Sequence, residues 1–270
     1  MTPDQFVFKF LSSFPAALTL ELGRYLIAAT LMSVATWVFW RGYFARRKIQ
    51  ERQVTKADYR REVLASIRTA VIFAVVGLGL YFAAITGWVT VYPDFSLRGP
   101  VYFVLALAAM IVAQDAYFYW THRAMHHPRL FRTFHHTHHK SHTPTPWAAY
   151  AFDAPEALVH VVFVPLWVAL VPMHDFAIYL FVTYQIVRNV IGHAGVEVSP
   201  VSGRPSRLFG WLSTTTHHDL HHQNAHTNFS LYFTWWDRWM GTEHPDYQMH
   251  LAEIANRPCA LRTPAVAEKA

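Results

Sequence analysis

With 270 residues, the chain is long enough for one sizeable domain, or for one domain with helical extensions. Its apolar fraction of 53% neither demands nor excludes a membrane. The net charge of +6 is gathered in one short stretch, which argues against nucleic acid as a partner, and a single cysteine, Cys259, excludes an intramolecular disulfide and fits a reducing compartment.

The start of the chain lacks a basic segment followed by an alanine-type cleavage site, so no signal peptide is predicted. Residues 20–40 hold two charges, Glu21 and Arg24, near their start, and residues 69–91 hold none. Residues 100–120 carry only Asp115, near their end. Each run meets the requirement of about 20 apolar residues for a helix crossing the hydrocarbon core. Between the first two lie Arg41, Arg46, Arg47, Lys48, Arg52, Lys56, Arg60 and Arg61. The positive-inside rule makes this loop cytoplasmic, and contact with anionic headgroups accounts for its charge. Two shorter apolar stretches, 157–173 and 176–191, are broken by Pro172, Met173, His174 and Asp175 and read as a tight helical hairpin. Counting spans places the regions after Trp120 and from His193 onward on the cytoplasmic side. Residues 199–206, with Pro200, Gly203 and Pro205, read as a loop, and the tail after His250 as peripheral.

The 18 histidines are clustered, with eight in residues 122–142 and five in residues 217–226. His122-Arg-Ala-Met-His126 places two imidazoles one helical turn apart, and His135-x-x-His138-His139 places three on one face. His218-x-x-His221-His222 repeats that pattern, and His193 follows the hairpin. Together these give nine ring nitrogens, more than one ion accepts, so two ions are expected. The bland alternatives are weaker. Low-affinity histidine tracts sit in disordered polar sequence, whereas these clusters abut apolar spans and aromatic residues. His160, His174 and His250 read as structural or solvated, and His226 as a surface residue. One cysteine cannot build a structural zinc site, and no Glu-x-x-His repeat of the soluble di-iron bundles occurs. Imidazole suits iron, zinc, copper and nickel, so ligand type alone leaves the metal open. Asp115, two helical turns before His122, and Asp219, inside the third cluster, are placed to orient a ligand imidazole by hydrogen bonding.

At these residues the sequence resembles the fatty acid hydroxylase / sterol desaturase superfamily of membrane di-iron oxygenases. The resemblance runs over residues 115–242. It rests on Asp115-x-x-x-Tyr119-Trp120-x-His122-Arg123-x-x-His126-His127, on residues 134–139, on the segment from His142 to Phe152, and on residues 218–222. Asn228-Phe-Ser and Trp236-Asp-Arg-Trp-Met-Gly-Thr242 complete it. One departure is Phe152-Asp153-Ala-Pro155-Glu156, where many members read Phe-His-Pro-x-Glu. The resemblance implies an all-α, polytopic membrane protein with a cytoplasmic histidine-rich helical cap. It would divide into spans and a basic loop (1–98), a hydroxylase-like domain with three histidine boxes (99–250) and a tail (251–270). It further implies that His122, His126, His135, His138, His139, His193, His218, His221 and His222 hold two irons. O2 would be the co-substrate and a lipid would be hydroxylated or desaturated, with zinc a possible occupant in purified protein. No nucleotide fingerprint and no Cys-x-x-Cys occurs, so electrons are expected from a ferredoxin, a reductase or a b-type cytochrome. A membrane zinc-dependent lipid hydrolase is the alternative, although no His-Glu-x-x-His is present.

Overall fold

The computed structural model of the chain describes residues 2–199 and 210–257. Cys259, the tail beyond residue 257 and all but the first residue of the expected loop at 199–206 lie outside the described residues. The chain is mostly helical. Helix α1 spans Pro3–Val34, started by a Thr2–Gln5 capping box and continued by a π-turn at Ala35–Phe39. A short α2, Arg41–Ala45, leads to α3, Lys56–Ile85, which Thr55 and Asp58 cap in the same way. Strand β1, Val91–Tyr92, precedes α4, Gly99–Met125, then α5, Pro128–Phe134, and α6, His136–His139. Helix α7, Ala154–Leu170, β2, Met173–His174, and α8, Asp175–Gly192, form the expected hairpin. Helices α9, Thr215–Gln223, α10, Trp235–Trp239, and α11, Tyr247–Asn256, close the described chain.

Three helical segments, Asp4–Phe39, Lys56–Ile85 and Gly99–Met125, are long and apolar enough to cross a membrane. They are apolar outside as well as inside. Leu20, Ile27 and Leu31 of α1, Val75 and Ile85 of α3, and Val101, Val104 and Leu105 of α4 all face outward. A helix hydrophobic around its whole circumference needs an apolar surrounding on every side. The first helix starts 17 residues earlier than the apolar run alone predicts, because polar Thr2 and Gln5 cap it well ahead of that run. Helix α7, with 17 residues, rises ~25 Å, short of the ~30 Å hydrocarbon core.

The bundle is pinned at both ends. At one, β1 pairs in parallel with β2, Val91 with Met173 and Tyr92 with His174, fastening the hairpin turn to the loop before α4. At the other end lie the C-terminus of α4 and all of α5, α6 and α9, which carry the histidines. Between α6 and α7, residues 140–153 form a buried, largely irregular strap. Backbone carbonyls buried outside a helix need donors from elsewhere, and the long helices supply them. Tyr25 Oη and Ser66 Oγ both donate to the Trp147 carbonyl, at 2.8 and 3.0 Å. Asn189 Nδ2 donates to Ala149, and Arg68 to Phe152. Gly195, at φ +68°, lets α8 leave past the strap, since a Cβ there would stand 3.0 Å from the Pro144 carbonyl.

The basic loop is only partly a headgroup surface. Arg47 is buried and donates to the carbonyls of Glu197 and Ser199, while Arg52 and Arg61 flank Asp58 at 2.8 and 2.9 Å. The guanidinium of Arg47 serves as the donor that an irregular return segment lacks.

The loop after α9 turns around one carboxylate. Asp237, fully buried, accepts from the backbone N–H of Phe229 and of Ser230, both at 2.9 Å, and from Thr242 Oγ1 at 2.7 Å. Asn228, in the left-handed region at φ +58°, bridges the His217 carbonyl and the His244 N–H. Replacing Asp237 with alanine strands two buried amide donors, at ~1–3 kcal/mol each. Asp237→Ala is therefore expected to destabilise the protein by ~2–5 kcal/mol, read as a lower thermal unfolding midpoint in detergent. Leu158→Ala, at an exposed position of α7, is expected to leave the midpoint nearly unchanged.

Candidate metal centre

All nine expected histidines come together, in two adjoining groups. His122, His126, His135, His139 and His221 form one, and His138, His193, His218 and His222 the other. Within each group the facing ring nitrogens all lie within 4.8 Å of one another. Eight of the nine are buried, and His126 is half-buried.

The distribution differs from the simple expectation that His135, His138 and His139 converge on one point. His135 and His139 share a group while His138 joins the other. His218 and His222 likewise share a group, and His221 crosses over. Helical geometry is the reason. Positions i+3 and i+4 flank position i on opposite sides and stand ~100° apart around the axis. The two spacings therefore feed two neighbouring points.

Several of these rings have their protons fixed from behind. His122 Nδ1 is 2.8 Å from the Phe229 carbonyl, His221 Nδ1 is 2.6 Å from that of Thr227, and His193 Nδ1 is 2.7 Å from that of Asn189. A carbonyl can only accept, so each Nδ1 carries the proton and each Nε2 presents a lone pair. His135 Nδ1 stands 2.7 Å from Glu156 Oε1, out of hydrogen-bond alignment, and burial pushes this carboxyl group well above the usual carboxylate range. Consequently His122 Nε2 and His221 Nε2 both turn lone pairs into the first group with no proton on either. His193 Nε2 similarly stands 3.1 Å from His218 Nε2.

Such spacings suit nitrogens around a metal. With bonds of ~2.1 Å, neighbouring ligands lie ~3.0 Å apart at right angles and ~3.4 Å apart in a tetrahedron. The edges observed are 2.9 Å for His122–His135, 3.3 Å for His122–His126 and 3.0 Å for His139–His221. In the second group His138–His193 and His193–His222 are both 3.3 Å, and His218–His222 is 3.2 Å. The residues fit two transition-metal ions, with five donors for one and four for the other.

Burial, reinforced by neighbouring imidazoles, holds His126, His135, His138, His139, His218, His221 and His222 well below the ordinary histidine pKa. Burial pushes His193 down to about 4. The cluster is thus a set of neutral donors at neutral pH.

The two expected carboxylates sit elsewhere. Asp115 accepts from the backbone N–H of Tyr232 and Phe233 at 2.8 and 3.2 Å, and from the Trp235 indole at 2.8 Å. It ties α4 to the loop before α10 and touches no imidazole, because the turn carrying it faces that loop. Arg123 reaches Tyr119 rather than Asp115. Asp219 accepts from Gln50 and Gln223, both at 2.7 Å, on the side of α9 facing away from the groups, and burial pushes its carboxyl up to about 7. The Gln50 amide also donates to the His142 carbonyl, joining the basic loop to both histidine regions. Asp153, standing where many members have histidine, caps α7 and accepts from Thr137 in α6. His127, His136, His142 and His226 are exposed. His217 is buried but turned to Asp237, 3.3 Å away.

The carboxylate behind a ligand ring is Glu156, which spacing on α4 did not reveal. Its signal was the Pro155-Glu156 pair one turn into α7, where the capping box fixes it against His135. Glu197 was also missed. It accepts from the Thr216 N–H at 2.8 Å and so anchors the start of α9.

Over residues 107–242, half of its length, the chain matches the fatty acid hydroxylase family. The chain belongs to the fatty acid hydroxylase family. Among curated relatives, a Delta(7)-sterol 5(6)-desaturase of Gibberella zeae is 30% identical over 200 residues, 74% of this chain and 60% of the relative. The lathosterol oxidase of Rattus norvegicus is 25% identical over 197 residues, 72% of this chain and 64% of that one. The cholesterol 25-hydroxylase of Rattus norvegicus is 34% identical over 156 residues, 57% and 49% of the two chains. The chain thus spans less than two thirds of the length of these relatives. No solved structure matches it.

Two expectations follow from the geometry. Glu156→Ala removes the buried carboxyl group packed against His135 Nδ1, and partners behind metal-bound histidines are worth ~10–100-fold in metal affinity. A loss of that order is expected in a competition titration with a chelator. The depressed histidine pKa values also set a sign. The folded state refuses protons that the unfolded chain takes up below pH ~6.5. Stability of the metal-free protein is therefore complete above that pH and falls as the pH drops below it, which unfolding midpoints measured from pH 7.5 to 5 will show.

Proposed function

We propose that the chain is a membrane-bound oxidoreductase that holds two irons in its histidine groups and uses O2 to hydroxylate or desaturate a lipid. The observation carrying this reading is the pair of adjoining, largely buried all-imidazole groups, with an apolar cavity elsewhere in the same helical bundle. That cavity, about 430 Å³, lies between α1, α3, α7 and α8 and is walled by Phe73, Val76, Leu80, Val161, Val164 and Val182. Its size is within the range of small-molecule sites. Phe73, Tyr150, His160 and Gln185 also line a smaller pocket that includes Phe118 and Phe152. Phe118 packs 4.9 Å from His122, and Phe152 packs 5.4 Å from His138. Aromatic side chains thus stand between the pocket and both imidazole groups.

Two irons bound by His122, His126, His135, His139 and His221, and by His138, His193, His218 and His222, supply the redox chemistry that attacks an unactivated C–H bond. The remaining work falls to the chain. Aromatic walls exclude water and align the hydrocarbon, while the Phe229, Thr227 and Asn189 carbonyls keep the Nδ1 protons of His122, His221 and His193 in place. Insertion of one oxygen takes two electrons from the substrate and two from a donor. The chain carries no nucleotide fingerprint and no Cys-x-x-Cys, so a ferredoxin, reductase or b-type cytochrome provides them. The charge of the basic loop supports a cytoplasmic histidine end under the positive-inside rule, on the side where such a donor would act. The relatives named for sterol desaturation and sterol hydroxylation support a sterol-like lipid.

A zinc hydrolase fits less well. It wants a carboxylate base beside the metal-bound water, and neither group contains one. Glu156 stands behind His135, on the ring edge facing away.

Metal analysis of anaerobically purified protein is expected to give two irons per chain, with O2 uptake on reduction. Lipid mass spectrometry of expressing cells is expected to show a gain of one oxygen or a loss of two hydrogens. His138→Ala and His221→Ala, one from each group, are each expected to lower iron content and abolish the product. Tightly held zinc with no redox response would sink the oxygenase reading.

A further inference from the structure

The wall of the apolar cavity carries three charged residues, of which Asp175 is exposed and pairs with His174, while Glu21 and Arg24 are largely buried. Glu21 and Arg24, three residues apart on α1, both line it. A terminal guanidinium nitrogen of Arg24 donates to Glu21 Oε1, and the two side chains are only 19% and 15% exposed, Arg24 and Glu21 respectively. This contact leaves one acceptor and one donor over. Oε2 of Glu21 and Nε of Arg24 are buried and have no partner among the described residues. An ion pair in an apolar wall is stable only when its remaining hydrogen-bonding capacity is met, so the leftover atoms describe what belongs beside them.

A lipid carboxylate would satisfy Arg24 but meet the charge of Glu21, and an ammonium group would meet that of Arg24. A hydroxyl satisfies both, because it donates one hydrogen bond and accepts others. We propose that Glu21 and Arg24 bind the hydroxyl of a lipid alcohol, Oε2 accepting its proton and Nε–H donating to its oxygen, with the hydrocarbon body in the cavity. Tyr25, the next residue on α1, stacks on Tyr150 at 5.4 Å, and Tyr150 lines both the cavity and the inner pocket. The polar clamp therefore lies in a cavity that adjoins the pocket beside the imidazoles, and its position along that cavity sets which part of the lipid points toward them. Both residues precede residues 107–242, so the selectivity comes from a part of the chain outside the family match.

This inference rests on the cavity being the lipid site of the proposed oxygenase, and a binding test separates the two. The full-length protein in nanodiscs is titrated with tritiated cholesterol and 1-octadecanol, with the methyl ether of each, and with oleate. At least one alcohol is expected to bind about ten-fold or more tightly than its ether, with oleate no better than the ether. Glu21→Gln and Arg24→Met are each expected to erase that preference. Equal binding of alcohol and ether for both pairs, a preference for oleate, or a preference that survives both substitutions would overturn the proposal. Iron content and lipid product measured on the same preparations keep the readings apart. Alcohol preference without iron leaves the clamp standing and removes the oxygenase, while iron and turnover without preference do the reverse.

Discussion

Lone pairs pressed together in a dry interior repel, and the structure around the histidines is organised to impose that arrangement. His122 and His221 turn lone pairs into the same group, with both protons held on the far side of their rings by backbone carbonyls. Neither ring can donate to the other, since both are acceptors on the facing edge. Fixing the rings takes groups from much of the molecule: a carboxyl group on α7, a carbonyl at the end of α8, and carbonyls from the loop after α9. Only a positive ion between the nitrogens turns this repulsion into attraction.

The surrounding fold follows from that requirement. Irregular backbone is needed to bring four chain segments to one place, and buried irregular backbone must be hydrogen-bonded. Tyr25, Ser66, Arg68 and Asn189 are polar residues on otherwise apolar helices, and each spends its donor on the strap between α6 and α7. Asp115 and Asp237 perform the same service for the loop after α9. The long helices are therefore more than lipid-facing struts, because their inner faces supply the polar groups that the site's scaffold lacks.

Much of this was legible in the sequence, for physical reasons. Apolar runs at 69–91 and 100–120 can hardly be anything but long helices, and histidines at i, i+3 and i+4 must fall near one another. The site's metal-facing side was read from these spacings. Its outer side was not, because hydrogen bonds between distant segments leave no periodic trace. Asp115 lies two turns before His122, which made it a natural partner, yet loop amides claimed it. Glu156 lies 21 residues after His135 and reaches it only because the strap folds back. The sorting of His138 and His139 into different groups needed only helical angles, and was missed by treating the triplet as one face.

That sorting has a consequence for how the protein can change. His138 and His139 are joined by a single peptide bond, as are His221 and His222, and each bond straddles the two groups. The spacing between the two centres is therefore written into covalent geometry rather than into side-chain packing. A deletion, an insertion or a one-residue slip in either short helix misplaces donors on both sides at once. Variation during descent is accordingly pushed outward, to the cavity walls and the first helix, where chemistry can diversify while the paired centre stays intact.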